Sequence, residues 1–256
     1  MTKTIAIAGK GGTGKTTISA LLVKLLSDKG LVLAIDGDPS ENLSQVLGLS
    51  LEKTVGSNRE ALSEMITKGN FSPEVSKQEY LDGKIMEALV EWKGFDLIAM
   101  GRPEGPGCYC AANHMLRASV DRLGERYDYV IIDCEAGMEH ISRQTTRDVD
   151  ILLIMTDPTL RGITTAARMK ELMREMRTSV GEVGLIMNRL AGTISQKLQE
   201  SLDNTGLKVI VTIPQDHYLS SLEIEGEPVT NLPPESPIVQ KVNSIAEKIA
   251  SGEHLA

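Results

Sequence analysis

Short apolar runs alternate along this chain with longer segments whose apolar residues recur at helical spacing. The runs are rich in Val, Ile and Leu and apolar on both faces, which is typical of strands buried in a parallel sheet. They lie at residues 4–8, 31–35, 95–101, 129–133, 150–156, 183–187 and 209–213. Helical spacing predicts helices after the first run, at 42–49, 111–123, 164–176 and 195–203, and through Ile238, Val242, Ile245 and Ile249 near the C-terminus.

This alternation predicts a single α/β domain over residues 1–256. The expected fold is a doubly wound, mostly parallel sheet of about seven or eight strands flanked by helices. Residues 40–94 are more polar and carry no strong motif, so we expect the variable part of the fold there. The C-terminal helix should pack on the core rather than anchor a membrane, because residues 251–256 lack the basic and bulky apolar side chains that anchoring uses.

Composition and charge narrow the class of protein. Apolar residues make up 41% of the chain and aromatic residues only 3%, so the core must be aliphatic. The net charge of −8 argues against a general nucleic-acid-binding surface, which needs clustered Lys and Arg, and leaves a local basic patch as the alternative. No apolar run approaches the ~20 residues that span a bilayer, and the first strand begins too early for a signal peptide. We therefore expect a cytoplasmic protein with no nucleic-acid or membrane partner.

A glycine-rich stretch joins the first apolar run to the first helix. Residues 9–17 read G-K-G-G-T-G-K-T-T and fit the P-loop pattern G-x-x-x-x-G-K-[ST]. Backbone N–H groups in such a loop curl around phosphates, the lysine reaches the β- and γ-phosphates, and the following hydroxyl ligates Mg²⁺. An empty glycine-rich turn is the alternative, but the strand, loop and helix context favours a nucleotide. The predicted nucleotide-binding residues here are Gly11, Gly12, Thr13, Gly14, Lys15, Thr16 and Thr17, with Thr16 also on Mg²⁺.

A second lysine in this loop, Lys10, makes the chain resemble the deviant P-loop ATPases, the group of nitrogenase iron protein, MinD and ParA. The resemblance implies a P-loop NTPase fold, hydrolysis of MgATP and a homodimer that closes over two ATP molecules. In that family the extra lysine crosses the dimer interface to the partner's nucleotide, which implies a catalytic role for Lys10 beside Lys15. A solvated lysine in a flexible loop is the alternative.

Acidic residues follow two of the predicted strands. Asp36 and Asp38 lie in D-G-D-P after the second run; the resemblance implies that Asp38 positions the attacking water and that Asp36 supports Mg²⁺, directly or through water. Good turn chemistry alone is the alternative interpretation of this tetrapeptide. Asp133 ends an apolar run in the Walker B manner, as a third Mg²⁺ group, and begins a D-x-x-x-G switch that ends at Gly137. The segment after Gly137 carries Glu139, His140 and Arg143, which either relay the nucleotide state or form a solvated face.

Two later strand ends complete the predicted nucleotide site. In the related family an asparagine at the position of Asn188 hydrogen-bonds adenine, and Arg189 follows it directly. The end of the last predicted strand is expected to add backbone contacts from Pro214, Gln215 and Asp216. Both segments follow strands, and doubly wound sheets bind ligands at the carboxyl ends of their strands.

A C-x-C pair, Cys108 and Cys110, follows the third apolar run and a turn rich in Gly and Pro. With one residue between them, both thiolates can reach one metal ion, and a two-fold dimer would supply four for a shared Ni²⁺ or Zn²⁺ site. His114 is an accessory candidate. Two ordinary loop residues are the alternative. We expect the third cysteine, Cys134, to be a packing residue because it ends a buried strand.

With these cysteines, D-G-D-P and E-A-G-M-E-H-I-S-R after Asp133, the chain resembles the CooC/AcsF group of nickel-insertion ATPases. The resemblance implies an ATP-dependent metallochaperone whose dimer depends on ATP and metal and whose client is carbon monoxide dehydrogenase or acetyl-CoA synthase. One alternative is an iron–sulfur electron donor like nitrogenase iron protein, whose cysteines are far apart in sequence. The other is a positioning ATPase of the ParA or MinD type.

Overall fold

The computed structural model describes residues 1–56, 68, 76–101, 118, 120–135, 148–175 and 179–255. Eight strands of these residues form one sheet: β1 Lys3–Gly9, β2 Val32–Asp36, β3 Val90–Trp92, β4 Phe95–Ala99, β5 Tyr129–Asp133, β6 Asp148–Thr156, β7 Ser179–Met187 and β8 Val209–Thr212. The helices with defined bounds are α1 Lys15–Ser27, α2 Asn42–Leu47, α3 Lys77–Ala88, α4 Leu160–Glu175, α5 Gln196–Asp203, α6 His217–Glu225 and α7 Pro237–Ser251. A 3₁₀ turn at Val229–Asn231 precedes α7.

The sheet is parallel except at the lateral strand β3. Its strand order is β3-β4-β2-β5-β1-β6-β7-β8, and only the β3–β4 pair is antiparallel among the described strands. Strand β1 lies in the middle, between β5 and β6. After β1 the chain forms β2, β3 and β4 on one side of the sheet, returns to place β5 beside β1, and continues with β6, β7 and β8 on the other side. This change of direction at β1 places a crevice for ligands at the carboxyl end of that strand.

Both faces of the sheet are covered by apolar helix surfaces. Ile5 and Ile7 of β1 face a cluster that contains buried residues of α1, α2 and α7, whereas Ala6 and Ala8 face the cluster of α3, α4 and α5. This alternation within one strand is the period of two that a strand imposes, applied to a strand buried on both sides. The doubly wound, mostly parallel fold predicted from the sequence is confirmed.

The structure adds an edge strand and two helices that the apolar pattern did not predict. Strand β3 is only three residues long and two of these residues are exposed, so it carries too few apolar positions to show a period. Helix α3 begins at a reciprocal capping box of Ser76 and Glu79, a signal that the S-x-x-E spacing carries in the sequence. Helix α6 buries no residue and so lacks a clear apolar stripe.

Several predicted bounds also shift. The predicted strands at 150–156 and 183–187 begin earlier, at Asp148 and Ser179, where the two are paired. Most of the predicted helix at 111–123 lies outside the described residues, although residues 120–124 are helical. Helix α7 packs against α1 and buries one apolar face, and the N–H of Leu255 beyond it donates to Glu182 Oε1 at 2.8 Å. The predicted packing of this helix on the core is confirmed.

Candidate nucleotide-binding site

The stretch between β1 and α1 is shaped by glycines at defined positions. Gly12 and Gly14 have φ of 76° and 92°, in the left-handed region that side chains disfavour. A Cβ on Gly9 would lie 2.6 Å from the carbonyl oxygen of Met155 on β6, so only glycine fits beside that strand. Among the described residues no side chain caps the start of α1, and its first turn has no acidic residue. The helix therefore presents uncapped N–H groups, a favourable place for an anion.

Lysine 15 is held inside the loop. Its side chain is buried, and Nζ lies 3.4 Å from the carbonyl oxygen of Lys10, which also accepts from the Thr13 hydroxyl at 2.8 Å. The ammonium group is thus positioned over the loop where a phosphate chain would lie. The side chain of Lys10 is exposed, which leaves it available to a second chain.

Two buried carboxylates end neighbouring strands at the same edge. Asp36 on β2 and Asp133 on β5 are register partners, and each is at most 1% exposed. Burial raises the pKa of Asp36 to about 7, although N–H groups of Leu43 and Asp38 donate to it at 2.9 and 3.0 Å. Burial likewise raises the pKa of Asp133 to about 6, against the opposing effects of the Thr16 and Ser19 hydroxyls and the Lys15 charge. At both groups burial outweighs the nearby hydrogen bonds and charge, so the ionised carboxylate is disfavoured.

Asp38 differs from its neighbour Asp36 because it is partly exposed. One of its oxygens, Oδ1, accepts from the N–H of Ser40 at 2.8 Å, while its own N–H donates to Asp36. The D-G-D-P segment therefore forms a tight turn organised by both carboxylates, as the turn interpretation expects. That turn also holds the Asp38 carboxylate at the rim of the site, so the two interpretations are compatible.

Asn188 and Arg189 contact the glycine-rich loop. Nδ2 of Asn188 donates to the carbonyl oxygen of Thr13 at 2.8 Å, and Nη1 of Arg189 donates to that of Gly12 at 3.2 Å. Asn188 is only 6% exposed, and a Cβ on Gly14 would lie 2.6 Å from its Nδ2. Sequence reasoning placed both residues at the nucleotide but missed these contacts, which no local pattern encodes.

The predicted contacts at 214–216 lie beside β7, because the N–H of Ile213 donates to the Met187 carbonyl at 2.8 Å. Pro214 and Gln215 are exposed, whereas Asp216 is buried and begins α6 as its N-cap. Its Oδ2 also accepts from the Ser236 hydroxyl at 2.6 Å and from the N–H of Ile238 at 3.0 Å, at the start of α7. Sequence reasoning missed this double cap, although an Asp before a helix is an N-cap signal.

Other predicted residues fall outside the described part of the chain: Cys108, Cys110, His114, Gly137, Glu139, His140 and Arg143. Cys134 is 2% exposed and burial raises its pKa, so the predicted packing role agrees with its position. Within the described ranges, no group of three or more His, Cys, Asp or Glu side chains is arranged to hold a metal ion. None of the described helices is long and apolar enough to cross a membrane.

Residues 4–229 match the family described as the CobQ/CobB/MinD/ParA nucleotide-binding domain. The chain belongs to this family. As predicted, it is a P-loop ATPase of the MinD/ParA group. An uncharacterised ATP-binding protein of Methanocaldococcus jannaschii is 41% identical to it over 96% of this chain and 97% of the relative. The carbon monoxide dehydrogenase accessory protein CooC of Rhodospirillum rubrum is 34% identical over 74% of this chain and 75% of its own.

The solved structures agree on the fold of this MinD/ParA family member. The septum site-determining protein MinD of Pyrococcus horikoshii, complexed with Mg-ADP, superposes with a TM-score of 0.69. The superposition covers 97% of this chain and 96% of MinD at 22% identity. At that identity the likeness concerns the fold alone.

Proposed function

We propose that this ATPase is a nickel metallochaperone that carries Ni²⁺, or Zn²⁺, on Cys108 and Cys110 of two chains and delivers it to carbon monoxide dehydrogenase or acetyl-CoA synthase. The observation that carries the proposal is the position of Met100 and Gly101, from which the chain continues to Cys108. Beyond β4 the N–H of Met100 donates to the Asp36 carbonyl at 2.8 Å, at the carboxyl edge of the sheet. Cys108 follows seven residues after Gly101, within about 25 Å of that edge.

The residues that would bind and hydrolyse ATP lie at the same carboxyl edge of the sheet. Thr16, Asp36 and Asp133 would hold Mg²⁺, directly or through water, and the fit is good because Asp36 and Asp133 are buried oxygen donors. Mg²⁺ would neutralise charge on the phosphates when bound. Lys15 would bind the β- and γ-phosphates, and Asp38 at the rim would orient the attacking water. Lys10 would reach the nucleotide of the partner chain.

Asn188 is the candidate for adenine recognition. Its amide already donates once to the loop and accepts once, through Oδ1, from the N–H of Arg189 at 2.9 Å. One N–H and one lone pair remain, which match the N7 acceptor and N6 donor of adenine. Pro214, Gln215 and Asp216 would border the base through their backbone. ATP is therefore the proposed nucleotide, and a cytoplasmic homodimer the proposed state.

Hydrogen bonds of Asp36 join the proposed ATP site to the end of β4, from which the chain continues to Cys108. Asp36 accepts from Asp38 through its side chain and from Met100 through its carbonyl. A change at Asp38 on hydrolysis would therefore act directly on the end of β4. If ATP and metal each favour the dimer, each must also tighten binding of the other.

Analytical ultracentrifugation with Ni²⁺ and no nucleotide tests the metal site, and a parallel run with ATP alone follows the nucleotide-driven dimer separately. We expect the wild type to dimerise with metal, and the Cys108→Ser/Cys110→Ser double variant to remain monomeric with Ni²⁺ because two thiolates per chain are lost. Cys134→Ala is the matched control, since it removes the buried thiol and should leave metal-driven dimerisation intact. Metal-driven dimers of the double variant would contradict the site. Co-expression with each client, followed by nickel analysis of the client, tests delivery.

A positioning ATPase of MinD type is the second candidate, because the family that residues 4–229 match includes MinD and ParA. Stimulation of ATP hydrolysis by DNA or liposomes, without any effect of Ni²⁺, would favour that function. The net charge of −8 and the buried apolar face of α7 favour the metallochaperone. A brown protein with iron–sulfur absorption would instead indicate an electron donor.

A further inference from the structure

The two residues that directly follow β7 donate hydrogen bonds to two consecutive carbonyl groups of the P-loop. Asn188 donates to Thr13 and Arg189 donates to Gly12, across 175 and 177 residues of sequence. Successive side chains of a regular strand point to opposite faces, so neighbours do not normally reach the same loop. A departure from strand geometry must occur at this position.

Arg189 provides that departure. Its φ of 58° lies in the left-handed region, which non-glycine residues adopt only where surrounding contacts offset the cost. Its N–H donates to Asn188 Oδ1, and the next N–H, of Leu190, donates to the Ile213 carbonyl at 2.9 Å. These bonds hold the bend that directs both side chains to the loop. Strained backbone of this kind is typical of functional sites.

Peptide planarity gives the two contacts a consequence for phosphate binding. In a trans peptide the carbonyl of one residue and the N–H of the next point in opposite directions. Holding the Gly12 carbonyl toward Arg189 turns the Thr13 N–H into the loop, where it makes only a long contact, 3.4 Å, with the Lys10 carbonyl. Holding the Thr13 carbonyl toward Asn188 likewise turns the Gly14 N–H into the loop.

We propose that Arg189 is a positioning residue that sets the P-loop amides for the phosphate chain before nucleotide binds, without contacting the base. Asn188 has both roles, as brace and as adenine contact. The inference rests on the proposed assignment of residues 9–17 as the phosphate-binding loop. It reassigns Arg189 from nucleotide binding, its role in the sequence-based prediction, to the support of the loop.

Inorganic tripolyphosphate with Mg²⁺ separates the two roles, because it offers a phosphate chain and no base. Isothermal titration calorimetry should show that Arg189→Ala weakens binding of tripolyphosphate and of ATP by the same factor, about five- to tenfold for the loss of one exposed hydrogen bond of ordinary strength. Arg189→Lys should recover most of that affinity, since its ammonium group keeps a donor. Arg168→Ala, an exposed arginine on α4, is the control and should bind both ligands as the wild type does.

A base-contacting Arg189 would give a different pattern: ATP binding would weaken and tripolyphosphate binding would not change. That result would overturn the inference, as would a wild type that binds ATP but not tripolyphosphate. Thermal unfolding of Arg189→Ala without ligand should match the wild type, because the side chain is exposed where it contacts Gly12. If the wild type itself did not bind ATP, the assignment of the phosphate-binding loop would be wrong, and this outcome is distinct from the others.

Discussion

Asp216 joins two helices through one side chain. It accepts from the N–H groups of Tyr218 and Leu219 at the start of α6, and from Ser236 and Ile238 at the start of α7. Burial opposes ionisation of Asp216, but these four hydrogen bonds outweigh it and lower the pKa of the carboxyl group. The ionised form therefore stabilises the folded state, and it holds Pro214 and Gln215 beside the end of β7.

The pH dependence of this residue has a defined sign. Because its folded pKa lies below the ordinary 3.8, its contribution is complete above that value and is lost as pH falls through the folded pKa. Asp216→Asn should lower the free energy of unfolding by about 1–3 kcal/mol at pH 7, and this deficit should shrink below pH 3.8. Urea unfolding at several pH values measures it, with Asp203→Asn, exposed at the end of α5, as control. A deficit independent of pH would contradict the charged cap.

Glycine has different effects at the start of α1 and in the interior of α3. Gly14 precedes α1 in a left-handed conformation against Asn188, so its lack of a side chain shapes the phosphate loop. Gly83 lies inside α3, exposed, with no atom within 4 Å of a built Cβ. One glycine is required by its surroundings, whereas the other only weakens its helix.

Alanine at these two glycines should therefore change stability in opposite directions. Gly14→Ala should destabilise the fold by about 1–3 kcal/mol and abolish ATP binding, because the Cβ displaces Asn188 and strains the loop. Gly83→Ala should stabilise it by about 0.5–1 kcal/mol and leave ATP binding unchanged. Thermal unfolding and calorimetric titration with ATP measure both effects. Normal ATP binding by Gly14→Ala would rule out close contact between this loop and Asn188.

In the whole molecule, the residues proposed to act in ATP hydrolysis and Mg²⁺ binding lie along the carboxyl edge of the sheet. The P-loop, Asp38, Asn188 and the segment that leads to Cys108 all follow the carboxyl ends of parallel strands. Lys10 is exposed on that edge, so a second chain placed against it would face the nucleotide. Hydrolysis and dimer formation should therefore be separable by substitution.

Lys10→Ala and Asp38→Ala should separate them. Both variants should bind ATP in calorimetry, because Lys15 and the loop amides remain, and both should hydrolyse ATP at least about 100-fold more slowly. Asp38→Ala should sediment as an ATP-bound dimer, since only the water-orienting group is lost. Lys10→Ala should stay monomeric with ATP, and Lys93→Ala, exposed away from this edge, should resemble the wild type. A Lys10→Ala dimer of normal stability would exclude the proposed role across the interface.

The sequence alone predicted those features that depend on residues close together in the chain. The apolar runs specify buried strands, and the glycine positions around Lys15 specify a phosphate loop, because periodicity and backbone conformation act within a few residues. The sequence also placed Asp36 and Asp133 at the ends of their strands, where both were expected to support Mg²⁺. Strand β3 and helix α6 were missed, since a short edge strand and an exposed helix carry little apolar pattern.

Only the tertiary structure decided which distant groups meet. The register of β2 with β5 pairs Asp36 with Asp133, and the position of β7 brings Asn188 to Thr13. Asp216 reaches Ser236 because α6 and α7 begin at the same place in space. Such contacts depend on strand order and helix packing, which are properties of the assembled core. Local sequence therefore determined the parts of the proposed ATP site, and packing determined how those parts support one another.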